Sequence, residues 1–217
     1  MIIAIDGPAG AGKSAVSQKL AQKLDFIYLD TGAMYRAITL KAIREKIDLN
    51  DEASLIKICE ETNINFVFKT KGISFLLLDE KDVRKEIRKK EITNKVFYLA
   101  KLPKVREKMV NLQRKIGNGK NIVAEGRDMG SVVFPQARKF YLDAFLEERA
   151  RRRYKQLLQD GENVSLEEIK RNIKDRDKKD SERKIAPLKM VNDAVYIDST
   201  YMTIEEVVEK MLRCIGL

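Results

Sequence analysis

Residues 1–16 read MIIAIDGPAGAGKSAV, in which an apolar run, Ile2 to Ile5, breaks at Asp6 into GPAGAGKS, Gly7 to Ser14. The spacing G-x-x-x-x-G-K-[ST] is complete, and it lies between a predicted strand and a predicted helix over Lys13 to Leu24, the context that this motif requires. Glycines at these places let main-chain N–H groups curl around phosphate oxygens, and the helix N-terminus adds its partial positive charge. Lys13 can reach the β and γ phosphates of a nucleoside triphosphate, and Ser14 can ligate Mg²⁺. The loop does not name the acceptor, because GTPases, ATP-driven machines and small-molecule kinases share it.

Outward from the loop, short apolar runs alternate with helical stretches, which predicts βα units and a mainly parallel sheet. Strands are expected at Ile2 to Ile5, Phe26 to Leu29, Asn121 to Ala124, Lys139 to Leu142 and Ala194 to Ile197. Helices are expected at Lys13 to Leu24, Ala33 to Glu45, Val105 to Ile116, Leu146 to Leu158 and Thr203 to Ile215. Ser165 with Glu168, and Thr203 with Glu206, match the capping box, in which hydroxyl and carboxylate satisfy each other's helix-end donors. The segment Asn63 to Val83 breaks the alternation. It holds two β-rich runs joined by Lys-Thr-Lys-Gly and reads as a small antiparallel insert.

Composition narrows the chemistry. The chain has 217 residues, 44% of them apolar and 35% charged, which fits one globular core with at most a small appended lobe. Its apolar runs fall well short of the roughly 20 residues of a membrane span, and no basic region precedes the first one, so a cytoplasmic protein without membrane partners is expected. Cys59 and Cys214 read as buried packing residues. There is no histidine, so any chemistry must run on Lys, Arg, Asp, Glu and main-chain groups. The formal charge of +10 attracts polyanions of any kind. Most basic residues stand beside Glu or Asp on predicted helices and read as solvated surface.

Four strings further along carry paired charges: Asp30 to Arg36 (DTGAMYR), Pro103 to Arg106 (PKVR), Glu125 to Gly130 (EGRDMG) and Asp180 to Pro187 (DSERKIAP). The first and third follow predicted strands at their carboxyl ends, the edge at which open α/β sheets bind ligands. Arginine's planar fork suits phosphate, and Asp128 can accept from an exocyclic amine, so a phosphorylated, base-bearing acceptor fits. Tyr35 reads equally as core, one helical turn from Thr31. A guanine-specific Asn-Lys-x-Asp string is missing, since Asn94-Lys-Val-Phe97 lacks the aspartate.

Taken in order, GPAGAGKS, DTGAMYR, EGRDMG, EERARRR (Glu147 to Arg153) and DSERKIAPL resemble the bacterial cytidylate kinase family, whose members transfer the γ-phosphate of ATP to CMP or dCMP. The likeness runs from Ile2 to the closing helix. It implies an α/β fold with a doubly wound parallel five-stranded sheet flanked by helices, a small antiparallel β insert and a helical lid. The core would comprise about 1–30, 104–145 and 185–217, the acceptor-binding lobe about 31–103 with its insert at about 63–83, and the lid about 146–184. ATP would lie on Gly7, Pro8, Ala9, Gly10, Ala11, Gly12, Lys13, Ser14 and Ala15, with Mg²⁺ on Ser14. By matching positions, Arg36 and Arg127 would hold the CMP phosphate, Thr31, Arg106, Asp128 and Arg183 would read cytosine with Tyr35 beside them, and Arg176 and Asp180 would meet the sugar.

Lys13, Arg36, Arg127, Arg176 and the lid residue Arg153 would then form the cationic shell of the transfer, within a lid contributing arginines from 149 to 153. Phe97 departs from the family, which places a small hydroxyl residue there to hold the sugar. The resemblance implies small nucleotide substrates, while modest surface-patch signals point to a monomer and the lack of an aromatic-rich basic stripe counts against a stable nucleic-acid partner. Kinases of AMP, UMP or shikimate, and a nucleic-acid-binding ATPase, are the alternative readings.

Overall fold

The computed structural model describes residues 1–68, 74–159 and 161–216. In chain order the elements are β1 (Ile2–Asp6), α1 (Lys13–Leu24), β2 (Ile27–Asp30), α2 (Thr31–Arg44), α3 (Glu52–Glu61), β3 (Ile64–Phe68), β4 (Ser74–Leu78), β5 (Lys81–Asp82), α4 (Lys90–Ala100), α5 (Pro103–Gly117), β6 (Ile122–Gly126), β7 (Arg138–Asp143), α6 (Leu146–Gln159), α7 (Leu166–Ser181), β8 (Val195–Asp198) and α8 (Ile204–Ile215). Each expected strand is present within two residues of its expected bounds. Helices α3 and α4 are additions to the expected set, as is a π-helical turn at Met129–Val133.

Five strands form one parallel sheet in the order β2-β6-β1-β7-β8. Parallel sheets flanked by helices are buried on both faces, which is why β1 is a continuous apolar run. Ile3, Ala4 and Ile5 are wholly buried. On β7, Phe140 pairs with Ile5 and Tyr141 with Asp6, so β1 ends two residues short of the end of β7 and the loop after β1 starts toward the sheet's carboxyl edge.

The chain divides into two compact units, one of Met1–Leu20 with Val123–Leu217 and one of Ala21–Ile122. In the first, an apolar cluster of Ala9, Ala150, Leu157, Ile169 and Ile173 joins the phosphate loop to α6 and α7. Thr203 and Glu206 form the expected capping box at α8, and Ser165 Oγ accepts from the Glu168 N–H at the start of α7.

The second unit has its own core, in which α2 contributes Met34, Ile38 and Ala42, α3 contributes Leu55, Ile58 and Cys59, and α5 contributes Val105 and Met109. Asp30 caps α2 by accepting from the Ala33 N–H, and Asp51 caps α3 through Ser54. The β insert is a three-stranded antiparallel sheet, β3-β4-β5, with Phe66 opposite Leu76. Its expected Lys-Thr-Lys-Gly turn lies outside the described residues. Of the two thiols expected in the interior, Cys59 is buried but Cys214 is only half-buried, because it lies in the last turn of α8, next to exposed Arg213.

Candidate functional site

Gly7 takes φ of 150°, and a Cβ there would lie 2.0 Å from the Leu142 carbonyl oxygen. Only glycine lets the loop leave β1 this close to β7. Gly10 and Gly12 follow with φ of 78° and 91°, left-handed values that turn successive amides inward and open a concavity of the kind that binds anions. The main-chain N–H groups of Gly10, Ala11, Gly12, Lys13 and Ser14 have no hydrogen-bond partner among the described residues. Unpaired donors at the N-terminus of α1 are what a phosphate would satisfy.

Lys13 is buried, and its Nζ donates to the Pro8 carbonyl at 2.6 Å. Burial, then the positive charges of Arg127 and Arg176, push its pKa down to about 7, against the pull of Glu125 and Asp180. A phosphate bound against Nζ would add negative charge there and return the group toward its ordinary value. ATP binding at pH 8, where the γ-phosphate is already ionised, is therefore expected to take up close to one proton, and affinity should fall as pH rises above about 7. Titration calorimetry in buffers of different ionisation enthalpy measures this, and Lys13→Ala should abolish the uptake. Zero uptake by the wild-type protein would show that Lys13 is charged before ATP arrives.

Asp6, at the end of β1, was not among the expected site residues. Its two carboxylate oxygens accept from the N–H groups of Met129 and Gly130 at 2.9 and 2.8 Å. Burial pushes its pKa up to about 6, against those two hydrogen bonds. The backbone held in this way is the turn after β6, where the Asp128 carbonyl accepts from both Val132 and Val133. A π-helical turn of this kind often marks a functional segment. Here it leaves Arg127 and buried Asp128 at the strand's carboxyl end.

Arg127 donates from Nε to Asp180 at 2.7 Å and from Nη1 to the Gly126 carbonyl at 3.3 Å. Burial works against ionisation of Asp180, but Arg127 and Arg176 outweigh it and hold the carboxyl below its ordinary range. Arg183 lies 3.8 Å from the other Asp180 oxygen and donates to the Ala186 carbonyl. Lys13, Arg127, Arg176, Asp180 and Arg183 thus belong to one charged cluster beside the loop, all within the first unit.

Four expected residues lie in the second unit. Arg36 donates from Nη2 to Asp30 at 2.9 Å, and its buried Nε has no hydrogen-bond partner. A Cβ on Gly32 would lie 2.9 Å from Arg36 Nη1, so the glycine of DTGAMYR makes room for the guanidinium. Thr31 is buried. Tyr35, which the sequence left open, packs in the core with the Arg106 guanidinium 5.7 Å from its ring centre. Arg106 also donates to the Ala100 carbonyl at 3.1 Å.

The arginines of α6 separate into different roles. Arg149 is buried against the loop, donating to the carbonyls of Ala144 and Ala9 and to Asp177. Arg152 donates to Glu148 and to Ser199 Oγ at 3.0 and 3.1 Å. Arg153 donates to Gln156, on the next turn of its own helix. Arg152 also borders an open cleft of about 380 Å³ lined by Thr200, Tyr201, Met202 and Thr203. The cleft adjoins the loop, because Ser199 Oγ donates to the Ala11 carbonyl at 3.3 Å and a Cβ on Gly12 would be 3.8 Å from Arg152 Nη1.

The family model described as cytidylate kinase matches residues 3–216. A cytidylate kinase of Caldanaerobacter subterraneus subsp. tengcongensis is 51% identical over 214 residues, covering 98% of this chain and 93% of that protein. One of Clostridioides difficile (strain 630) is 48% identical over 218 residues, covering 100% and 99%. Among solved structures, a shikimate kinase from Bacteroides thetaiotaomicron superposes with a TM-score of 0.51 at 15% identity, covering 100% of this chain and 99% of that one, a likeness of fold alone. The chain belongs to the cytidylate kinase family.

Proposed function

We propose that this protein transfers the γ-phosphoryl group of ATP to the 5′-phosphate of CMP and dCMP, forming the corresponding diphosphates. The observation that carries the proposal is the juxtaposition of Lys13, on a loop of unpaired amides, with Arg127 and Asp180, to which Lys13 is electrostatically linked. ATP would lay its phosphates on Gly10 to Ser14 and its base in the cleft beside Arg152 and Tyr201, with the guanidinium against the ring face. CMP would engage its phosphate through Arg127 and Arg36, its base through Asp128, Arg106, Arg183 and Thr31, and its sugar through Arg176 and Asp180. We assign residues 146–184 as the lid and 31–103 as the acceptor lobe. One chain suffices for the reaction, working in the cytoplasm without nucleic acid.

The attacking oxygen of CMP is already ionised near neutral pH, so the reaction requires placement and charge more than a strong base. Lys13, Arg127, Arg36 and Arg176 supply fixed positive charge where negative charge spreads in the transition state. Half-buried Arg153, which donates to Gln156 of its own helix, would turn toward the phosphates as the lid settles, and closure would keep water from the γ-phosphate. Ser14 is exposed on the first turn of α1. Its single hydroxyl fits Mg²⁺, which keeps most of its shell as water and phosphate oxygen. When bound, such an ion would neutralise negative charge on the triphosphate.

A coupled assay of ADP release over CMP, dCMP, UMP, AMP and shikimate tests the assignment, and CMP should be turned over fastest. Asp128→Asn, which exchanges one accepting carboxylate oxygen for an NH2 donor and removes the charge behind the bond to the cytosine amine, should lower kcat/KM for CMP by roughly 5- to 150-fold while leaving KM for ATP within about twofold. Preference for UMP or shikimate in the panel would overturn the reading of the acceptor. Equal loss toward both substrates would give Asp128 a folding role.

A further inference from the structure

Helix α7 turns one stripe toward the phosphate loop. Ile173 packs with Ala9 in the apolar cluster, and Asp177, four residues on, accepts from the Ala9 N–H at 2.9 Å. Asp180, almost one turn further, accepts from Arg127. Arg176, on the same stripe, is close enough to lower the pKa of Lys13. From the other side, Arg149 of α6 donates to the Ala9 carbonyl at 2.9 Å and to Asp177. Ala9 is therefore gripped at its N–H, its C=O and its methyl group, and Gly10 fits so close that a Cβ would lie 3.0 Å from the Arg149 carbonyl oxygen.

A buried ion pair is a weak source of stability, because desolvation offsets most of the Coulomb attraction and apolar residues of similar volume often serve as well. What this pair supplies is register. It fixes one residue of the loop to one turn of the helix whose next turn carries the partner of Arg127. We propose that Arg149 and Asp177 are positioning residues for phosphoryl transfer, joined through the main chain of Ala9, that set the loop in register with Arg176 and Asp180. Neither residue needs to touch a nucleotide for this. The inference rests on the kinase reading above.

Asp177→Asn keeps the side chain's shape but turns an amide group against the Arg149 fork. With saturating ATP and CMP, kcat should fall about tenfold to a hundredfold, the scale of a displacement of about 1 Å in the reacting groups. KM for ATP and for CMP should stay within about threefold, since the nucleotide contacts are elsewhere. The double variant Arg149→Met with Asp177→Asn should be no slower than Arg149→Met alone, as expected of residues acting as a unit. Arg149→Lys, which keeps the charge but cannot span three acceptors, is the second variant should Asp177→Asn fail to fold, and the same loss of kcat is expected. Turnover within threefold of wild type in folded Asp177→Asn or Arg149→Lys, or losses that multiply in the double variant, would overturn the proposal. Wild-type turnover of CMP is the control. Without it the reading of function fails, whereas with it and undiminished variants only the positioning role fails.

Discussion

Lys13→Ala is expected to lower kcat at least about a hundredfold, with a smaller change in KM for ATP. The Nζ group lies on the Pro8 carbonyl, buried and facing Arg127 and Arg176. A preorganised charge of this kind costs no reorganisation when the γ-phosphoryl group moves, and removing one such contact typically costs 10²–10³ in rate. Lys13→Arg should rescue little, because the larger planar fork does not fit where the lysine is buried and points at a main-chain carbonyl. Steady-state kinetics on protein of wild-type circular dichroism measure both. Turnover near that of wild type for Lys13→Ala would remove the loop from the chemistry.

The parts of this molecule that were readable in advance are those written in local spacing. The phosphate loop needs glycines at fixed offsets because Gly7 meets the Leu142 carbonyl and Gly10 and Gly12 take left-handed backbone. The Thr203 and Glu206 cap is likewise complete within four residues. Helix α4 escaped notice because no side chain caps its start at Lys89. Helix α3 is only 10 residues long, although Asp51 followed by Ser54 could have announced it. The site was legible as strings and illegible as pairings. Asp177 reads as one more charge in a polar helix, yet it accepts from an amide 168 positions away. Asp6 lies in an apolar run as if it were merely its last residue, yet it holds the turn that presents Arg127. Arg149, Arg151, Arg152 and Arg153 look interchangeable as letters. The rotation of the helix, about 100° per residue, sends Arg149 into the loop and Arg151 and Arg152 to the cleft, and leaves Arg153 half-buried along its own helix.

Arg127→Ala should cost kcat/KM for CMP roughly 30-fold to several thousandfold, corresponding to the about 2–5 kcal/mol lost when one partner of a hydrogen-bonded charge pair is truncated. Two things are lost together. Nε and Nη1 are committed to Asp180 and the Gly126 carbonyl, which fixes the plane of the guanidinium, while Nη2 has no protein partner among the described residues and is the donor left for an acceptor phosphate. Removing the arginine also leaves Asp180 with a weaker positive surrounding, since Arg127 is the larger of the charges that hold its pKa down. Arg127→Lys separates the two effects. One ammonium keeps the charge but cannot serve Asp180, Gly126 and a phosphate at once, so a loss of at least about tenfold is expected. Asp180→Asn should be milder than Arg127→Ala, because the guanidinium keeps an acceptor on its Nε side. In the double variant Arg127→Ala with Asp180→Asn, the loss should be less than the product of the single losses, as coupled partners require. Strictly multiplicative losses, or a full-strength Arg127→Lys enzyme, would mean that the guanidinium plane is set by something other than Asp180 and that the phosphate is held elsewhere.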